Sequence, residues 1–76
     1  MKFKTHQPDT STGEKYRATL HLGDDCCVGV TAHASGRIYV STGHAHGSQT
    51  VTLPTGGAVV LGMLLQQAAG SLKAEG

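Results

Sequence analysis

Apolar and polar residues alternate along the middle of the chain with a period of two. Between residues 16 and 53 the pattern divides into four segments, YRATLHL, CCVGVTAH, RIYVS and SQTVTL. Because successive side chains of a strand point to opposite faces, each segment predicts a β-strand with one apolar and one polar face. The short breaks between the segments predict an antiparallel meander with one face in contact with solvent.

The breaks also predict the register of the hairpins. Alternation requires three-residue loops at 23–25 and 34–36, and Gly36 then occupies the left-handed position of a type I turn followed by a G1 bulge. Residues 44–47, HAHG, remain as a four-residue loop at the tip of the third hairpin. The predicted cross-strand pairs are His21 with Cys27, Thr31 with Tyr39, His33 with Arg37, Val40 with Val51 and Ile38 with Leu53.

Beyond the last strand the period changes to that of a helix. Pro54 suits a first helical turn, and Thr52 or Thr55 can cap it. Apolar residues then recur at helical spacing, and the helix is predicted to end near Gly70. The predicted fold class is α+β, a four-stranded antiparallel meander sheet with one C-terminal helix, over residues 56–70, packed on one face (ββββα).

Residues 1–15 are predicted to be a flexible N-terminal segment, because turn formers dominate it. Within it, residues 1–4 (MKFK) are a candidate for an additional edge strand. Residues 16–76 then form a single α+β domain. A core of this size supplies only a few kcal/mol of net stability, so such chains often need a metal, a staple or a partner subunit.

The distribution of charge predicts that part of the surface is covered. From Cys26 to Leu72 the only charged side chain is Arg37, whereas charged residues normally maintain a monomer's solubility. The predicted helix is apolar around most of its circumference, which is typical of a helix buried on more than one side. We therefore expect a homodimer in which helices meet across a two-fold axis. The predicted interface residues are Val59, Met63 and Gln66. The alternative to a dimer is that the glycine-rich turn bends, so that all apolar residues of the helix reach the core of a single chain.

Charge and composition also argue against several functional classes. The net charge is +1, and the basic residues are few and mixed with acids, so direct nucleic-acid binding is not expected. No apolar stretch approaches the roughly 20 residues that span a bilayer, and the start lacks the apolar region of a secretory signal. Cys26 and Cys27 are adjacent, which suits free thiols in a reducing compartment. A soluble cytoplasmic protein without membrane association is expected.

The histidines of the hairpin tip, His44 and His46, allow two interpretations. The register places His21 and Cys27 at the same end of the sheet, so these four side chains are candidate ligands for a transition metal. Their spacing matches no zinc signature, and histidine also serves as a polar, turn-compatible residue. Cys27 and His21 lack a third orienting group and an oxyanion donor, so neither an enzymatic site nor a cofactor is predicted.

The polar face of the sheet is nearly uncharged but carries tyrosine, arginine and histidine, which suit protein-recognition surfaces. An ordinary solvated face rich in threonine is the alternative interpretation. The candidate partner-binding residues are Arg17, His33, Arg37, Tyr39, His44 and His46.

These observations favour a non-enzymatic protein-binding module that blocks another protein or ribonucleoprotein by covering its surface. Small proteins of one sheet and one helix without catalytic residues are often encoded by phages and mobile elements to inhibit host machinery. Anti-CRISPR proteins are one such group, and the analogy is one of size and not of residues. The alternative function is a small transition-metal-binding protein that uses His21, Cys27, His44 and His46.

Overall fold

The fold is a five-stranded antiparallel sheet followed by one helix, in a computed structural model that describes residues 2–23, 25–44 and 47–75. The strands follow one another across the sheet in chain order, so the predicted α+β meander with a C-terminal helix is confirmed. The candidate N-terminal edge strand is the fifth strand. In chain order the elements are β1 (Lys2–His6), a 3₁₀ turn (Thr10–Thr12), β2 (Glu14–His21), β3 (Cys27–His33), β4 (Arg37–His44), β5 (Gly47–Pro54) and α1 (Thr55–Glu75).

The register of the sheet agrees with the alternation of the sequence. Four of the five predicted pairs are present, namely His21 with Cys27, Thr31 with Tyr39, Val40 with Val51 and Ile38 with Leu53. Between β3 and β4 the ladder ends one pair earlier than predicted, at Ala32 and Ile38. Gly36 has a φ of +90°, the predicted left-handed conformation, and its N–H donates to the carbonyl of His33 at 3.0 Å.

The tip of the third hairpin is tighter than predicted. Strands β4 and β5 continue until His44 pairs with Gly47, so the predicted four-residue loop is wrong. The connection is residues 45 and 46, which lie outside the described residues. Two-residue connections are the commonest in β-hairpins, and glycine and histidine carry too little apolar character to mark where the strands end.

The helix α1 is longer than predicted at its C-terminal end. It runs from Thr55 to Glu75 and passes through Gly70, so the predicted end near Gly70 is wrong. A glycine within a helix costs only about 1 kcal/mol, and alanine and leucine on both sides favour continuation. At the other end, Pro54 is the last residue of β5 and not part of the first helical turn. The hydroxyl of Thr55 donates to the carbonyl of Gly36 at 2.6 Å and ties the helix start to the β3–β4 turn.

The helix covers only one side of the apolar sheet face. Among the described elements, α1 contacts β4 and β5 and none of the other strands. Between the helix and the sheet lies an open groove of about 520 Å³. Its lining includes Phe3, Ala18, Leu20, Val28, Val30 and Val40 from the sheet and Ala58, Leu61 and Leu65 from the helix. Of the residues described, Ala18 alone is buried, with 8% of its surface exposed.

No helix in the described ranges has both the length and the apolar character needed to cross a bilayer.

Candidate functional site

The polar face of the sheet carries a cluster centred on Tyr39. Arg17, Thr31 and Tyr39 are cross-strand neighbours in one row of the sheet, because Thr31 pairs with both other residues. His33 follows Thr31 by two positions on β3, and its ring meets the Tyr39 ring edge-on, with centroids 6.4 Å apart and planes at 86°. This geometry is one of the favourable arrangements of aromatic pairs. We call Arg17, Thr31, His33, Arg37 and Tyr39 the Tyr39 patch.

The His33 ring is fixed at both nitrogens. The backbone N–H of Ser35 donates to Nδ1 at 3.0 Å, so Nδ1 must be an acceptor. The carbonyl of Thr12 lies 2.9 Å from Nε2 and can only accept, so Nε2 must carry the proton. The Ser35 hydroxyl is also 2.9 Å from Nδ1. His33 therefore joins the 3₁₀ turn to the β3–β4 turn, and neither nitrogen is left for a partner.

Glycine at position 13 is required by this arrangement. Gly13 has a φ of +89°, and a Cβ built there would lie 2.6 Å from Nε2 of His33. Gly36 has nearly the same φ, but its Cβ would lie at an ordinary 3.6 Å from the nearest atom, in Thr55. The two glycines therefore differ in steric surroundings while sharing one backbone conformation.

We expect Gly13→Ala to destabilise the protein more than Gly36→Ala. Both changes place alanine in the left-handed region, which costs about 1–2 kcal/mol. Only Gly13→Ala also displaces the His33 ring, which adds at least about 1 kcal/mol for a lost hydrogen bond. Urea unfolding at one protein concentration measures both losses. Equal losses would show that His33 does not hold the two turns together.

An ion pair borders the Tyr39 patch. The Arg17 guanidinium lies 4.0 Å from the Glu14 carboxylate, which also accepts the backbone N–H of Asp9 at 3.1 Å. Sequence reasoning missed Glu14, because the alternation that begins at Tyr16 assigns it to the apolar face. A bulge between Glu14 and Tyr16 shifts the register by one residue and pairs Glu14 with His33. Such a one-residue shift moves a side chain to the other face of a sheet.

The 3₁₀ turn beside the patch is capped by Asp9, whose carboxylate accepts the Ser11 N–H at 3.1 Å. A hydrogen bond from the Ser11 side chain is the main cause that lowers the pKa of Asp9 below its ordinary value. A lowered folded-state pKa means that the ionised cap stabilises the fold above the ordinary pKa, and that this contribution disappears as the pH falls through the lowered one. The segment between β1 and β2 therefore has its own local hydrogen bonds, while its predicted flexibility stays a prediction.

The structure brings together four of the six candidate partner-binding residues. Arg17, His33, Arg37 and Tyr39 lie at one end of the polar face. His44 ends β4 five residues beyond Tyr39, which corresponds to about 17 Å along a strand. His46 lies outside the described residues. The Tyr39 patch and the His44 end of β4 are therefore separate parts of the sheet.

The candidate metal ligands are assembled only in part. His21 pairs with Cys27, which pairs in turn with Gly43, and the Cys27 sulfur is 3.4 Å from the position a Cβ of Gly43 would occupy. Cys26 and Cys27 are free cysteines. Within the described residues no three histidine, cysteine or acidic side chains lie close enough to hold a metal ion. A site completed by the hairpin tip stays a prediction, because His46 is outside those residues.

The predicted dimer residues lie on the helix, where Val59, Met63 and Gln66 are all exposed. Comparison of the chain with protein-family models, with curated proteins and with solved structures found no match. Function can therefore be inferred only from the chain's own residues and their geometry.

Proposed function

We propose that the protein is a non-enzymatic binding module that recognises another protein through the Tyr39 patch. The observation that carries this proposal is the contact of Tyr39 with His33, a ring fixed by hydrogen bonds at both nitrogens. An aromatic side chain that is already held loses little conformational entropy on binding. Tyrosine and arginine are also the residue types most often found at binding hot spots.

The charges of the patch favour a partner with acidic groups. Arg17 is partly neutralised by Glu14, whereas Arg37 makes no ion pair with any described residue. Arg37 lies two positions before Tyr39 on β4, and a guanidinium in this position is suited to bidentate contact with a carboxylate. The partner's carboxylates would then lie next to the tyrosine ring.

Binding without catalysis is the proposed mode of action. The pair of His21 and Cys27 offers a base and a nucleophile across one rung of the sheet. Among the described residues, no further histidine, cysteine or acidic side chain joins them in a group of three. A rigid polar face on a small chain is suited to covering a surface of a larger protein or ribonucleoprotein. We propose inhibition by occlusion on this basis.

The double variant Tyr39→Ala/Arg37→Ala should lose the partner while keeping its fold. Truncation of central tyrosine and arginine residues commonly costs about 2 kcal/mol or more, which is at least a roughly 30-fold loss of affinity. The matched control is Thr50→Ala, which lies on the same polar face but on β5, outside the patch. Affinity capture from a lysate of the source cells compares the two variants, with circular dichroism to show folding. A partner retained equally by the folded double variant and the wild type would contradict the proposal.

A further inference from the structure

Two apolar surfaces of the chain have no partner in the described residues. The first is the apolar face of β1–β3, which the helix does not reach. Its outermost aromatic residue, Phe3, is 68% exposed although it lines the groove. The second is the side of α1 that faces away from the sheet.

The helix is apolar on both sides over its first half. Ala58, Leu61 and Leu65 lie on the side of the helix that lines the groove. Because successive residues turn by about 100° around the helix axis, the residues between them form a second stripe on the opposite side. This stripe, which we call the distal stripe, consists of Val59, Val60, Met63 and Leu64. All four residues are more than half exposed, with Met63 at 54%. Large apolar residues in this number do not normally face water together.

The total solvent-accessible area of the chain is larger than that of a compact monomer of the same mass. It exposes 5882 Å², whereas a compact monomer of 7.8 kDa exposes about 4,400 Å². The Cα radius of gyration is likewise 13.9 Å, against about 11.4 Å for a compact chain of 76 residues. The excess surface is about 1,500 Å², close to twice the roughly 800 Å² that each partner buries in a standard interface.

We propose that a second copy of this chain covers both surfaces in a two-fold dimer. Each helix contacts its own β4 and β5 on the groove side and packs its distal stripe against the apolar face of β1–β3 in the other copy. The contact is isologous, because each copy offers the surface that the other needs. The two sheets then enclose both helices, and the core is shared. This arrangement differs from the predicted helix-to-helix contact, in which Val59, Met63 and Gln66 meet their counterparts in the other copy. Here Val59 and Met63 pack against the sheet of the other copy.

Charge identifies the second copy as the occupant. The groove lining is uncharged, and α1 carries no charged residue from Thr55 to Leu72. The helix of another copy therefore brings no charge into the groove. A small apolar ligand in the groove would leave the distal stripe exposed, whereas a second copy covers both surfaces at once. The inference does not depend on the proposed function, because the Tyr39 patch lies on the opposite face of the sheet.

The test is the mass in solution of the wild type and two variants, measured by light scattering at about 50 µM, where a standard interface is populated. The wild type should have a mass of about 15.6 kDa, twice the 7.8 kDa of one chain. Met63→Glu should raise the dimer Kd by at least about 100-fold, because it buries an unpaired charge. Thr50→Glu adds the same charge on the outer face and should change the Kd by less than about threefold. If Met63→Glu does not fold, the uncharged variant Met63→Gln tests the same contact. It should raise the dimer Kd by at least about tenfold.

Three results would overturn the proposed dimer, in which the distal stripe packs against the sheet of the other copy. One is a wild-type mass of a single chain at that concentration. Another is a dimer that survives Met63→Glu or Met63→Gln but dissociates with Thr50→Glu, which would indicate pairing through the edge of β5. The last is a monomer that carries a bound apolar molecule in native mass spectrometry, which would make the groove a ligand site.

Discussion

Replacing Val30 by aspartate should abolish folding, whereas the same replacement at the neighbouring Thr31 should leave the protein folded. Val30 lies at the centre of the apolar face, where it pairs with Ala18 on one side and Val40 on the other. It also lines the groove that the second copy is proposed to fill. A buried carboxylate without a partner costs several kcal/mol, which is comparable with the whole stability of a small domain.

Thr31→Asp is the matched control, since it places the same charge one residue away on the other face. Thr31 pairs with Arg17, so the new carboxylate would face a guanidinium, and we expect a change of less than about 1 kcal/mol. Circular dichroism and urea unfolding of both variants at one concentration make the comparison. A Val30→Asp protein that unfolds at nearly the wild-type urea concentration would show that the apolar face stays exposed to solvent and is not part of a core.

The two faces of the sheet therefore have different proposed roles. In these proposals the apolar face builds the core together with a second copy, and the polar face presents the Tyr39 patch to a partner. A two-fold dimer would present two such patches. If the partner carries two or more copies of the recognised surface, the second contact forms at high effective concentration and strengthens binding without any new residue.

The sheet could be predicted from the sequence because its signals are local. The period of two identifies which side chains share a face, and a glycine at position 36 marks the turn that sets the register of β3 and β4. Once one pair of an antiparallel ladder is known, all others follow. For this reason the pattern of apolar positions and turn residues was sufficient to predict the pairs of Thr31 with Tyr39 and Val40 with Val51.

The ends of the elements could not be predicted in the same way. The bulge after Glu14 moves that residue to the face of His33, and an alternating pattern contains no sign of an inserted residue. At Gly70 the helix continues, because the cost of one glycine is smaller than the combined propensity of its neighbours. Both features depend on small local differences in backbone free energy, and a pattern of apolar positions does not contain this information.

The fixing of His33 was also beyond sequence reasoning. Its two nitrogens bond to Thr12 and Ser35, and the contact with Thr12 spans 21 positions in the chain. Nothing in the sequence links the turn before β2 to that histidine until the register places both at one end of the sheet. The position of α1 relative to β1–β3 was likewise not encoded in its apolar spacing, which is nearly uniform around the helix.

The dependence of the melting temperature on protein concentration tests most directly whether a second copy completes the core. If folding and association are one transition, each tenfold rise in concentration stabilises the dimer by about 1.4 kcal/mol. For a unit of two 76-residue chains, this raises the melting temperature by roughly 3–6 °C. Calorimetry or circular dichroism over a hundredfold range of concentration should therefore show a shift of roughly 6–12 °C. A reversible transition at one unchanged temperature across that range would mean that a single chain completes its own core, and would contradict the shared core proposed for the dimer.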